Sequence, residues 1–171
     1  MTRKRLAILL IVLALATAGL VFARTTRPLS VPSAEIPPEV TEKFFSIAAK
    51  LSRYPLPLDR PKIVVADAKM FEDDPNCDGR GEKCIVLGYY NFVSPPDTIY
   101  INVKTPPDKR ASTIVHEIVH WLQDRAGRYP GTCEEQASIE LEAYVADYRY
   151  SVEYTPYDTE PDLPVFTCHT K

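Results

Sequence analysis

Residues 105–127 read TPPDKRASTIVHEIVHWLQDRAG, a stretch that carries the start of a helix, its stop and a chemical motif between them. Thr105-Pro106-Pro107-Asp108 predicts the opening turn, with Thr105 as N-cap, prolines where no backbone N–H is required, and an acid at N3. Gly127 is the expected stop, because glycine accepts the left-handed conformation in which many helices end.

Inside that helix, His116-Glu117-Ile118-Val119-His120 sets two imidazoles four residues apart. At about 100° per residue they project about 40° apart from one face, so both can reach a single Zn²⁺ ion. Glu117 is rotated toward the same side and is expected as the general base for an activated water, not as a ligand. Thr113, Gln123 and Asp124 share the histidine side, whereas Val115, Ile118, Val119 and Leu122 lie opposite, which predicts one packed face and one chemical face. Two solvated histidines beside a surface glutamate are the competing reading; the capped helix around the motif argues against it.

A catalytic zinc takes three protein ligands and keeps one position open. The only other histidine is His169. A three-histidine continuation of the motif would need glycine and histidine where Gln123 and Ala126 stand, so it is rejected. A second helix opens at Thr132-Cys133-Glu134-Glu135 with capping-box spacing and runs to about Tyr154. On its wheel the apolar stripe is expected to be Ala137, Leu141, Tyr144, Tyr148 and Val152. Glu140 borders that stripe and Glu142 points away, so Glu140 is the expected third ligand and Glu142 an exposed carboxylate.

Upstream, Val40, Phe44, Ile47, Ala48 and Leu51 recur at helical spacing over residues 39–54, until Pro55 and Pro57 stop the pattern. Residues 62–66, 84–92 and 98–103 are rich in Ile, Val and Tyr and read as strands, the last two joined as a hairpin through Ser94-Pro95-Pro96-Asp97. The fold class is therefore α+β: a small mixed or antiparallel sheet packed on the motif helix and on the helix that donates the glutamate.

The beginning of the chain has a different character. Arg3, Lys4 and Arg5 precede an uncharged apolar run over residues 6–23, which reads as a signal peptide or an N-terminal anchor and predicts export, periplasmic or secreted. Residues 24–36 lack apolar periodicity and read as a flexible linker, leaving 37–171 as the folded domain. The first 23 residues hold three of the 20 Lys and Arg and none of the 23 Asp and Glu, so the remainder carries a net charge of −6. That balance gives no basis for a nucleic-acid partner, and membrane association rests on an uncleaved N-terminal segment alone. Four cysteines suit an oxidising compartment. Of the three possible connectivities, Cys77–Cys84 with Cys133–Cys168 is favoured, the first stapling a turn and the second tying the tail to the start of the last helix.

Residues 98–150 resemble the gluzincin metallopeptidases, in which an H-E-x-x-H helix is followed by a helix donating a glutamate. The glutamate in several branches of that group lies three residues before an alanine, as Glu140 does before Ala143. The resemblance implies zinc-dependent hydrolysis of a peptide or protein substrate, with a sheet edge along the cleft that residues 98–103 or 84–92 would supply. Many members also carry an aspartate four residues after the glutamate to orient a zinc histidine; here Tyr144 occupies that place, and Asp147 is the candidate substitute. For the developing oxyanion, a disulfide between Cys133 and Cys168 would bring His169 near the glutamate helix, ahead of Tyr148, Tyr150 and Tyr154. The alternative to an enzyme is an exported zinc-binding or scaffold protein whose site is structural or inactive; a disulfide-stapled binding module without metal is the third possibility.

Overall fold

The β-branched runs and capped segments form four strands and three α-helices among the residues that the computed structural model describes, 34–71, 86–90, 97–156 and Cys168. In chain order these are β1 (Ala34–Glu35), α1 (Pro38–Ser52), β2 (Lys62–Ala66), β3 (Gly88–Tyr90), β4 (Thr98–Asn102), α2 (Pro107–Arg125) and α3 (Cys133–Tyr154), with a short 3₁₀ turn at Ala68–Phe71. The expected export segment, the Cys77–Cys84 pair, most of the hairpin turn and His169 lie outside the described residues.

The sheet is mixed, in the order β1-β2-β4-β3, so the architecture is α+β. β2 and β4 run parallel from Lys62↔Thr98 to Ala66↔Asn102, while β3 pairs antiparallel with β4 as the hairpin reading required. β4 is thus an interior strand, and its Ile99 and Ile101 are fully buried. Residues 98–103 therefore do not supply a sheet edge; among the described residues β3 does, at one side, and β1 at the other. β1 also revises the linker, because Ala34 and Glu35 pair with Val65 and Val64, and the Ile36 N–H donates to the Ile63 carbonyl at 2.8 Å.

α1 buries Phe45, Ile47, Ala48 and Leu51, whereas Val40 is exposed. Phe44 is only partly buried and reaches Tyr150 of α3 with ring centroids 6.1 Å apart. Arg53 ends the helix in a left-handed conformation, φ 66°, where its N–H donates to the Ala49 carbonyl.

α2 starts one residue later than the threonine cap implied. Pro106 is the N-cap and no side chain caps it. The Thr105 hydroxyl instead donates to the Leu87 carbonyl at 2.8 Å, tying the helix entry to the chain just before β3. Gly127 adopts φ +72° past the C-terminus, and its N–H and that of Arg128 close on the Asp124 and Gln123 carbonyls. The helix does not divide into a packed and a solvated face: every residue from Ser112 to Gln123 is buried. It packs against α1, α3 and strands β3 and β4, so its polar residues too are drawn toward partners within the protein.

α3 opens with the expected capping box, the Glu135 N–H donating to the Thr132 hydroxyl and the Thr132 N–H to the Glu135 carboxylate. Its buried stripe differs from the expected one. Ile139, Ala143, Ala146 and Tyr150 face the core, while Leu141, Tyr148 and Val152 are exposed. Two alanines allow the backbone to approach its neighbours closely, and that proximity outweighs the greater apolar area of the other stripe. The Cys133–Cys168 disulfide joins the tail to the first residue of α3, with Cα atoms 5.7 Å apart.

Candidate metal centre

α2 and α3 pack side by side, and where they meet His116, His120 and Glu140 converge. Nε2 of His116 and Nε2 of His120 are 3.1 Å apart; Glu140 Oε2 lies 3.3 Å from His120 Nε2 and 3.7 Å from His116 Nε2. Three tetrahedral donors about 2.0–2.1 Å from a zinc ion would be separated by about 3.3 Å. The observed triangle matches that spacing, so the group can bind a metal ion.

Each donor is held from behind. Glu140 Oε1 accepts a hydrogen bond from Gln136 Nε2, one turn earlier, at 2.8 Å, which leaves Oε2 facing the histidines. His120 Nδ1 is 2.9 Å from Gln123 Oε1. The His116 ring meets the Tyr144 ring edge-to-face at 4.6 Å, so the tyrosine four residues after Glu140 packs against a histidine. Asp147 makes no hydrogen bond to either histidine among the described residues.

The electrostatics follow from burial of three ionisable groups in one place. Burial alone would raise the Glu140 pKa, but hydrogen bonds and charge from His116 and His120 carry it well below the usual carboxylate range. Burial would lower that of His120, but Glu140, Glu117 and Gln123 carry it up to about 9. A metal ion therefore competes with a proton at neutral pH.

Glu117 is buried beside this group, and burial raises its pKa against the opposing effects of both histidines and the Tyr90 N–H. β3 lies directly against it: a Cβ on Gly88 would stand 2.7 Å from Glu117 Cγ and 2.8 Å from its Oε1. Glycine at this position is what lets the strand approach the motif helix so closely.

No family model, curated protein or solved structure matches this chain.

The structure brings His116, Glu117, His120 and Glu140 together and keeps Glu142 apart. Glu142 is not the free surface carboxylate expected. It accepts from the Tyr54 hydroxyl at 2.6 Å and from Gln123 Nε2 at 3.1 Å, and pairs with Arg128 at 3.2 Å. Glu140 reaches the histidines although the expected stripe is not the buried one; it follows Ile139 and precedes Ala143 on the face of α3 that is buried. Gln123 and Gly88 belong to the site without having been singled out for it. For Gln123 the signal was present, since it shares the histidine face and follows His120 by three residues. For Gly88 no sequence pattern distinguishes a close approach from an ordinary turn glycine.

Proposed function

We propose that this chain is an exported zinc metallopeptidase of the gluzincin kind, with a minimal zincin-like arrangement of sheet, motif helix and glutamate-donating helix. The observation that carries the reading is the convergence of His116, His120 and Glu140 at tetrahedral spacing with Glu117 at their side. Two imidazoles and one carboxylate suit zinc, and three ligands leave a position for reacting groups. Bound there, zinc would supply Lewis acidity toward a water and a peptide carbonyl.

The protein's own contribution is proton handling and placement. Glu117 takes the proton of the attacking water at its carboxylate and returns it to the leaving amine; the raised pKa suits a group that must both accept and give. β3 is the sheet edge beside Glu117 and so is the strand on which an extended peptide substrate would be added. Export rests on the basic and apolar N-terminal segment and on the Cys133–Cys168 disulfide. Among the described residues no helix is long and apolar enough to cross a membrane.

Burial of Glu117 favours one second reading, a zinc-holding protein without hydrolytic activity. Zinc content and peptide hydrolysis, measured on the wild type and on Glu117→Gln, separate the two. The enzyme reading expects stoichiometric zinc in both proteins and a rate about 10²–10⁴-fold lower in the variant. Stoichiometric zinc with no wild-type hydrolysis of diverse peptides selects the second reading, and absence of zinc after reconstitution removes both.

A further inference from the structure

Gln123 is a neutral amide with no exposed surface, placed in the core of the molecule. An amide is stable there when its donors and acceptor are all satisfied. Its nitrogen donates to the Ile139 carbonyl at 3.0 Å and to Glu142 Oε2 at 3.1 Å, and its oxygen faces His120 Nδ1 at 2.9 Å.

These partners determine the amide's orientation. A carbonyl oxygen can only accept, and Glu142 presents acceptor oxygens, since Oε2 takes the Tyr54 hydroxyl hydrogen and Oε1 pairs with the Arg128 guanidinium. Rotating the amide by 180° would set its oxygen against two acceptors, so the nitrogen must point toward α3 and the oxygen toward His120. His120 Nδ1 must then carry a hydrogen. Its remaining nitrogen, Nε2, is the one that faces His116 and Glu140.

The bracing extends further from the metal group. Glu142 is held by the Tyr54 hydroxyl at 2.6 Å, and Arg128 bonds both Glu142 and Tyr54, at 3.2 and 3.0 Å. Tyr54 follows α1, Arg128 lies in the turn between α2 and α3, and Glu142 is on α3. Three separate parts of the fold thus hold one amide in one orientation.

We infer that Gln123, locked by Glu142, is the positioning residue that makes His120 an Nε2 donor to the metal. The inference rests on the metal-site reading above, and its test separates the two. Long-range ¹H–¹⁵N correlation of the histidine rings in the full-length protein reports which ring nitrogen carries hydrogen. In wild type loaded with zinc, His120 is expected in the Nδ1–H form.

In Gln123→Met, which keeps the length of the side chain and removes the amide, zinc affinity should fall about 10- to 100-fold. The Nδ1–H signature of His120 should be lost while the His116 pattern is kept. Glu142→Gln, which still offers an oxygen to the Gln123 amide, should come close to wild type, and Glu142→Ala should fall between. If Gln123→Met does not fold, the two Glu142 variants decide, and equal zinc affinity and His120 signature in both overturn the inference. So does a folded Gln123→Met with wild-type affinity and an Nδ1–H His120. If wild type takes no zinc the metal reading fails. The metal-free His120 signature, recorded at a pH where the ring's own ¹⁵N shifts show it to be neutral, then tests the bracing by itself: Nδ1–H in wild type and lost in Gln123→Met upholds it, and any other pattern overturns it.

Discussion

α2 and α3 lie side by side and contribute to the same three-residue group, yet they are stabilised in opposite ways. α2 is enclosed from Ser112 to Gln123, with polar and apolar side chains alike out of water. α3 touches the core through Ile139, Ala143, Ala146 and Tyr150 and leaves Leu141, Val145, Tyr148 and Val152 facing outward. The difference teaches that burial here follows close approach, not apolar content. Ser112, Thr113, His120 and Gln123 on α2 are buried with hydrogen bonds inside the protein, and large aliphatic residues on α3 stay exposed because small ones make the contact.

The contrast predicts a graded set of effects. At the α2 extreme, Trp121 is fully buried, with its ring edge-to-face on Phe45 at 5.5 Å. Trp121→Ala should cost about 3–5 kcal/mol in denaturant unfolding. A loss below about 1 kcal/mol would mean that α2 is not enclosed as described.

At the contact itself, Ala143→Leu should cost about 1–3 kcal/mol, because the added methylenes have no room between the helices. The same change should weaken zinc binding, since it pushes Glu140 away from the histidines. Unfolding and zinc titration of one sample would show whether the two losses go together; intact zinc affinity would mean that Glu140 does not depend on this packing.

Smaller again is the pH effect at Glu142. Its folded pKa lies below the ordinary carboxylate value of 4.5, so the stability it contributes is complete above that value and is lost as pH falls through the folded one. Wild type should therefore exceed Glu142→Gln in stability at neutral pH, with the gap closing below pH 4.5. A gap that widens on acidification contradicts the assignment.

The smallest effect belongs to the exposed stripe. Leu141→Ala should change unfolding stability by no more than about 0.5 kcal/mol. A loss near that of a core leucine would place this stripe under cover and remove the contrast between the helices.

Much of the molecule is legible without coordinates because it depends on local rules. The period of the apolar residues, the capping box at Thr132, the stop at Gly127 and the four-residue spacing of His116 and His120 each involve neighbours within a turn or two of helix. The sequence by itself thus determined the helices, the pairing of two imidazoles on one face and the candidacy of Glu140. Tertiary structure alone decided which stripe of α3 is buried, that β4 is interior and β3 an edge, that residues 34 and 35 join the sheet, and that Thr105 bonds Leu87 instead of capping α2. It alone linked Glu142 through Gln123 to His120. The physical reason is common to these cases: each depends on how near one element comes to another, and that distance is set by side-chain volumes and hydrogen-bond needs on both partners at once, which no local pattern contains.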